Sequence, residues 1–426
     1  MIGKPDPVGS SGAGRGSPRR AVLLASGFIV LMGTGALAGT LLTGSATPTS
    51  PAREPLIAPA NAPRGQDSTG RLLPESWQRP TPGWLYVLDV NNLRQEGQVL
   101  LVDPSAAQVK GALRVGNDPA MALAPDGSRL YIVSTSGGKD SVSVFDTASG
   151  SVLTTFEVKY RAKDTLPPGT SSIALSSDGR RLYLSTLQIV SPGVDRYGVT
   201  TYDTADGRAI ASTEVTGCGK SVLVPPSAAG HLDLVCPMAG AVQSLRPDVI
   251  GAAGASTLRL PLVADDRKDS NGNSLNLSRL AGAAASRDGS RLFNVTRNGR
   301  VVVVDSGSHK VIRTADMGLG ADRWVSTTPV LAPDESSLFV PTGRVADRSS
   351  GQADQVLVID TRSMKVTRTI KTSQQFWSLT ASPDSAHLYA VDLHRQAIID
   401  LDSQTGGQLG VVGGVGDTPS LALPVR

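Results

Sequence analysis

At 426 residues the chain could hold two or three average domains, but 46 glycines, 28 prolines and only 4% aromatic residues suit one turn-rich, all-β unit. With 40% hydrophobic and 18% charged residues, global disorder is excluded. The formal net charge of +4 invites a nucleic-acid reading, but Lys4, Arg15, Arg19 and Arg20 stand against Asp6 alone in residues 1–50, leaving residues 51–426 with only +1. No nucleic-acid partner is therefore expected for the folded part.

Residues 1–20 read as a basic cytoplasmic tail, rich in Gly, Ser and Pro and ending in Pro18-Arg19-Arg20. From Ala21 to Leu42 run 22 residues without a charge. About 20 such residues cross a bilayer, and arginines on the N-terminal side favour a cytoplasmic N-terminus. A secretory apolar segment is usually about 7–15 residues, so the length favours an uncleaved anchor in the cell membrane. The alternative is a signal peptide cleaved near Ala38, because Ala36-Leu37-Ala38 has the small-x-small form and Arg19-Arg20-Ala21-Val22-Leu23 partly matches a twin-arginine signal. Both readings export residues 43–426. Residues 43–82 hold Pro48, Pro51, Pro55, Pro59, Pro63, Pro74, Pro80 and Pro82 without an apolar period, and read as a disordered, extended linker.

From Gly83 the chain repeats with a period of roughly 40–60 residues, the range of propeller blades and helical arrays. The unit is built of strands. One copy runs from Pro119-Ala120-Met121 through the turn Pro125-Asp126-Gly127 to Leu130-Tyr131-Ile132-Val133, then Val142 to Asp146-Thr147, then Val152 to Val158. The four strands are named A to D from the hub outward. B strands are expected near Trp84, Leu130, Leu182, His231, Leu292, Leu338 and Leu388. C strands are expected near Val99, Val142, Val199, Ala241, Val301, Val356 and Ala397, and A strands near Ala120, Ser171, Lys220, Leu280, Thr328, Ser378 and Ser420. Each class has seven members. The domain opens on a B strand, so Pro419 to Pro424 must supply the missing A strand of the first blade and close the ring. The expected fold is an all-β, seven-bladed β-propeller over 83–426.

The aspartates at the A-to-B turns (Asp126, Asp178, Asp288, Asp334, Asp384) and before the C-to-D turns (Asp103, Asp146, Asp203, Asp305, Asp360, Asp402) recur at fixed repeat positions. That recurrence marks them as turn caps rather than catalytic carboxylates. Blade four departs most, with Pro225-Pro226-Ser227-Ala228-Ala229-Gly230 in place of its Asp-Gly turn.

Leu130-Tyr131-Ile132-Val133-Ser134, Leu182-Tyr183-Leu184-Ser185-Thr186 and Leu388-Tyr389-Ala390-Val391-Asp392 resemble the core of the YVTN-repeat β-propellers, though Ser134, Thr186 and Asp392 replace the motif's final Asn. The resemblance implies the fold over nearly all of 83–426 and says little of function. That family looks similar to lactonase-type propellers and to the large subunit of methylamine dehydrogenase.

Of four histidines, His231 and His387 occupy a repeat position before the B-strand Leu and read as structural, and His309 sits in a C-to-D turn. His394, in a B-to-C connection, is the histidine kept as a candidate. No zinc spacing, haem attachment motif, nucleophile elbow or phosphate loop is present, so no catalytic residue, metal or cofactor is assigned. The segment Asp265 to Asn273 has a calcium-loop flavour without the EF-hand ligand order. Cys218 and Cys236 are the only cysteines. Export permits a disulfide, and they lie equidistant from residue 227, as facing residues of an antiparallel pair would. The long connections Lys159–Gly169, Gln188–Gly198, Val263–Arg279, Gly318–Thr327 and Gly343–Asp354 join B to C or D to A, which emerge on one face. Tyr160, Arg161, Arg196, Tyr197, Arg323, Trp324, Arg344, Trp377 and His394 make that face the candidate binding surface. A membrane-anchored binding or scaffold module for a protein, glycan or small ligand is the leading reading. A lactonase-type hydrolase and a supporting subunit of a redox complex are the alternatives.

Overall fold

A computed structural model describes residues 77–426 apart from 92–95, 137–138, 159–168, 192–193, 216–217, 219–221, 225–230, 247–255, 266, 269–273 and 426. The tail, the segment 21–42 and most of the linker lie outside the described residues. No helix among the described residues is long and apolar enough to cross a membrane. The described chain forms seven antiparallel sheets, and its one helical element is a short 3-10 turn at Val345–Ser350. Blade two shows the plan, with Asn117–Leu123, Arg129–Ser136, Lys139–Asp146 and Val152–Glu157 as strands A to D. The A strands of neighbouring blades touch around the hub. The seven-bladed propeller expected from the repeat is the fold.

Ring closure takes the expected route. Pro419–Pro424 pairs antiparallel with Leu85–Asn91, placing Leu85 opposite Pro424 and Leu88 opposite Leu421. The joint is pinned at one end by the buried Asp89 carboxylate, which accepts hydrogen bonds from the amides of Asp417 at 3.1 Å and Thr418 at 2.5 Å. Gly416 approaches so closely, at φ +96°, that a Cβ there would lie 2.3 Å from the Asp89 carboxyl carbon. Only glycine fits that corner.

The core is divided among the seams. Seven apolar clusters each join two neighbouring blades, from Tyr86, Leu101, Leu130 and Ile132 between blades one and two to Val87, Leu100, Tyr389 and Ile398 between seven and one. This explains the Leu-Tyr pattern of strand B. Successive side chains point to opposite faces of a sheet, so Leu130 meets blade one while Tyr131 meets blade three. Both faces are buried, and the B strands therefore read as apolar runs without alternation.

The turn aspartates cap turns. At the A-to-B turns, Oδ1 of Asp126, Asp178, Asp288, Asp334 and Asp384 accepts from the amide two residues on, at 2.9–3.0 Å. At the C-to-D turns Oδ1 of Asp103, Asp146, Asp305, Asp360 and Asp402 accepts from the amide three residues on, and that of Asp203 from the amide two residues on. The next residue stitches the two turns together: Thr147 Oγ1 donates to the carbonyl of Gly127, Thr204 Oγ1 to Gly179 and Thr361 Oγ1 to Glu335. Hydrogen bonds to the charged form hold the carboxyls of Asp126, Asp146, Asp178, Asp203, Asp288, Asp305, Asp360, Asp384 and Asp402 low. The Ser286 hydroxyl and the Ser290 amide and hydroxyl bring Asp288 to about 2. A carboxyl lower in the folded state than its unfolded value of about 3.9 stabilises the fold above that value and loses its effect as pH falls through the folded pKa. Asp288→Ala should therefore lower the melting temperature clearly at pH 6 and much less at pH 2, as thermal denaturation across that range will show.

Three of the expected long connections are shorter than the sequence suggested, because strands extend into them. Gln188–Gly198 is mostly hairpin, formed by Arg181–Ser191 and Val194–Asp203. Gly318–Thr327 contains the strand Arg323–Val325, and Gly343–Asp354 contains the 3-10 turn. Blade six thus has a split A position, with Arg323–Val325 and Val330–Leu331 both pairing with Ser337–Arg344. The extra backbone pairs satisfy amides that would otherwise be buried without partners or left to water.

Cys218 and Cys236 form a disulfide, with Cα atoms 4.7 Å apart. They are not a facing pair of strands A and B. The register sets Val222 opposite Val235, and Cys218 lies before strand A begins. The bond ties the D-to-A connection to the end of strand B, in the blade that lacks the Asp-Gly turn. Replacing both cysteines by serine should cost on the order of 3 kcal/mol, read from the midpoint of denaturant unfolding.

Candidate functional site

On the face carrying the B-to-C and D-to-A connections, the most elaborated feature among the described residues belongs to blade six. Gly343 lets the chain pass between neighbours: a Cβ there would lie 2.2 Å from the Gln352 carbonyl oxygen and 3.2 Å from Nε1 of Trp324. Gly351, at φ +69°, sits against the ring of Trp377, 2.9 Å from where its Cβ would be. The segment from Gly343 to Gly351 is therefore held between two tryptophans. Its far end is fixed by charge. The Arg323 guanidinium grips the Asp354 carboxylate, Nη1 to Oδ2 at 3.1 Å and Nη2 to Oδ1, and also donates to the Thr342 carbonyl. Arg344 approaches the same carboxylate at 3.5 Å but keeps its side chain 65% exposed.

A second layer supports this one. Trp324 is buried against Leu275, Leu277 and Val345, with the Arg297 guanidinium 4.9 Å from its ring centroid, within range of a cation–π contact. Arg267 holds Asp265 through both carboxylate oxygens and donates to the carbonyls of Ala321 and Arg323. The Arg267 contacts keep the Asp265 carboxyl below its ordinary value, so it stays ionised. The acidic segment with the calcium-loop flavour thus begins by binding an arginine, and residues 269–273 lie outside the described residues.

The structure brings four of the expected residues together at blade six: Arg323, Trp324, Arg344 and Trp377. Their roles divide. Arg323 and Trp324 are inward supports, Trp377 is half-buried, and Arg344 is the exposed group. His394 is exposed on the adjoining blade, where its amide donates to Asp392 Oδ1 at 3.0 Å. Tyr197 lies apart, half-buried on strand C of blade three and packed on the seam to blade four. Arg196 is paired with Gln188 in the tall hairpin. Tyr160, Arg161 and the side chain of Arg196 lie outside the described residues. Among the described residues, no group of three His, Cys, Asp or Glu side chains could hold a metal ion.

Two polar constellations were missed. His387 Nδ1 lies 2.8 Å from Asp400 Oδ1, although its repeat position made it look structural. Asp233 stands where six blades place Tyr86, Tyr131, Tyr183, Phe293, Phe339 and Tyr389 on strand B. It is 2% exposed. Burial pushes its carboxyl up, opposed by the hydroxyls of Ser306 and Ser244 and by His309 and His231. Comparing the second residue of each B strand would have found it.

No protein-family model matches the chain, and no curated protein matches it. Solved structures do share its fold. A periplasmic gluconolactonase from Pseudomonas aeruginosa superposes with a TM-score of 0.57 and 16% identity, covering 80% of this chain and 99% of that one. A protein of unknown function from Desulfotomaculum acetoxidans gives 0.58 and 11%, over 81% and 99%. Hydrazine synthase from Kuenenia stuttgartiensis gives 0.53 and 14%, over 77% and 97%. At these identities the likeness is one of fold.

The division of roles predicts a split in stability. Trp324→Ala should cost about 3–5 kcal/mol, as truncating a buried tryptophan does. Arg344→Ala should change stability by less than about 0.5 kcal/mol. Chemical denaturation of both variants measures the difference.

Proposed function

We propose that this protein is a membrane-anchored, extracytoplasmic β-propeller that binds a partner through the face built around blade six. The observation that carries this reading is Arg344: its carboxylate partner is already held by Arg323, and its guanidinium stays exposed on a segment clamped between Trp324 and Trp377. A solvent-facing arginine on a braced segment has the character of an interface anchor. A guanidinium also suits a carboxylate, phosphate or planar polar group on the partner. The apolar stretch 21–42 supports the anchored reading over a released one.

Crosslinking from intact cells tests the binding. A photoreactive residue at position 344 should capture a discrete partner, and Arg344→Ala should reduce that capture several-fold with the melting temperature unchanged. Equal capture from a photoreactive residue at Asp126, on the opposite face, would overturn the reading. The lactonase-type alternative instead requires turnover of a lactone by the isolated propeller. N-terminal sequencing tests the anchor: protein from the membrane fraction should retain residues 21–42, whereas a mature chain beginning near Gly39 in the medium would defeat it.

A further inference from the structure

The opposite face, built from A-to-B and C-to-D turns, carries a feature that the blade-six reading does not use. Where the last blade meets the first, a cleft of about 350 Å³ opens between the A-to-B turn of blade seven and the C-to-D turn of blade one. Its apolar walls are Trp84 and the prolines Pro82, Pro104 and Pro383. Its polar wall is His387, Asp400 and Asp384.

The polar wall is ordered. The His387 imidazole lies parallel to the ring of the buried Tyr389, with centroids 5.8 Å apart and planes at 5°. Its Nδ1 meets Asp400 Oδ1 at 2.8 Å. A carboxylate only accepts, so Nδ1 carries the proton and, in the neutral ring, Nε2 is left with a lone pair. Asp384 is anchored by the Ala386 amide and the Ser382 hydroxyl. Those hydrogen bonds hold its carboxyl below its ordinary value, so it is a charged acceptor. The wall therefore offers acceptors: two carboxylates and an imidazole nitrogen.

This arrangement selects a ligand class. A negatively charged molecule would face two carboxylates, which excludes phosphates and acidic sugars. A metal ion lacks a converging ligand set among the described residues. An amine or other cation would face the Lys110 ammonium, 5.7 Å from the Trp84 centroid, and a quaternary cation would want an aromatic cage, whereas the Tyr389 ring is stacked under His387. What remains is a molecule rich in hydroxyl donors with an apolar C–H face. We propose that the cleft is a binding site for an uncharged carbohydrate ring, with His387 Nε2, Asp400 and Asp384 accepting its hydroxyls and Trp84 with the prolines packing on its C–H face. The site is independent of the blade-six surface.

Saturation-transfer NMR on the full chain in detergent, with cello-, xylo- and manno-oligosaccharides as probes, tests it. At least one series should receive saturation at its ring protons, with a Kd on the order of 1 mM or tighter. Ser105→Trp changes an exposed turn residue at the rim and fills the cleft without touching the core, so it should abolish the transfer with the melting temperature unchanged. His387→Ala should weaken binding at least about tenfold, whereas Arg344→Ala should leave it intact. No transfer to any of the three series, or transfer that survives Ser105→Trp, would overturn the proposal. Loss on Arg344→Ala alone would move carbohydrate binding to the blade-six face and equally refute this site.

Discussion

Every blade is a sheet with two inner faces. Strands B and C have no solvent side, because a neighbouring blade covers each surface, and the core exists only as seven seams between sheets. No single blade buries its own apolar residues. Each depends on two neighbours, so the ring must close before any seam is secure. That is why the first and last segments pair edge to edge and why a buried carboxylate and a glycine are committed to one corner, at Asp89 and Gly416. Closure also means that no inner strand is left as an open edge.

The same constraint places chemistry at the two rims. Side chains within the seams are occupied in packing, and variation is tolerated where strands end. On one rim most described turns are short and tied by an aspartate cap, and in blades two, three, six and seven a hydroxyl stitch joins the two turns. On the other, blade six builds outward: strands lengthen, a 3-10 turn is added, and paired arginines and tryptophans hold the addition rigid. The rigidity matters for binding, since a side chain already held in place loses less entropy when a partner arrives. The cleft at the closing seam arises differently. Blade one begins with Pro82-Gly83-Trp84, where other blades have a continuous A-to-B turn, and that break leaves space beside His387.

Asp233 shows what happens when the seam rule is broken. In the aromatic position of strand B, blade four carries a carboxylate facing Ser306 and His309 of blade five. Its Oδ1 has no hydrogen bond of full geometry, so the seam loses the packing of a ring and gains a poorly satisfied polar group. This blade also lacks its Asp-Gly turn and is the one that holds the disulfide. The disulfide lies on the other side of the blade, in the seam to blade three with Tyr183 and Val199.

Much of this was legible in the residues. Turn aspartates, strand order, blade number and the closing strand derive from local pattern: a recurring Asp-Gly, a run of Val and Leu, and one A strand left over at Pro419. Such features depend on near neighbours in sequence, so a repeat displays them openly. The disulfide pairing was legible because only two cysteines exist, but its register was not, since the start of strand A in blade four depends on seam packing. The site was less legible for the same reason. Arg323, Trp324 and Arg344 look alike as loop residues, and only the tertiary structure divides them into an ion-pair clamp, a buried support and an exposed cation. His387 looked like a repeat position; it takes Asp400 as a partner from the neighbouring strand of its own blade, and it acquires the cleft as surroundings only when blade seven meets blade one, some 300 residues away in sequence. Sequence by itself determined the architecture, because each blade repeats the same local instructions. The tertiary structure decided which side chains are free to act, because exposure is set by what the closed ring brings alongside them.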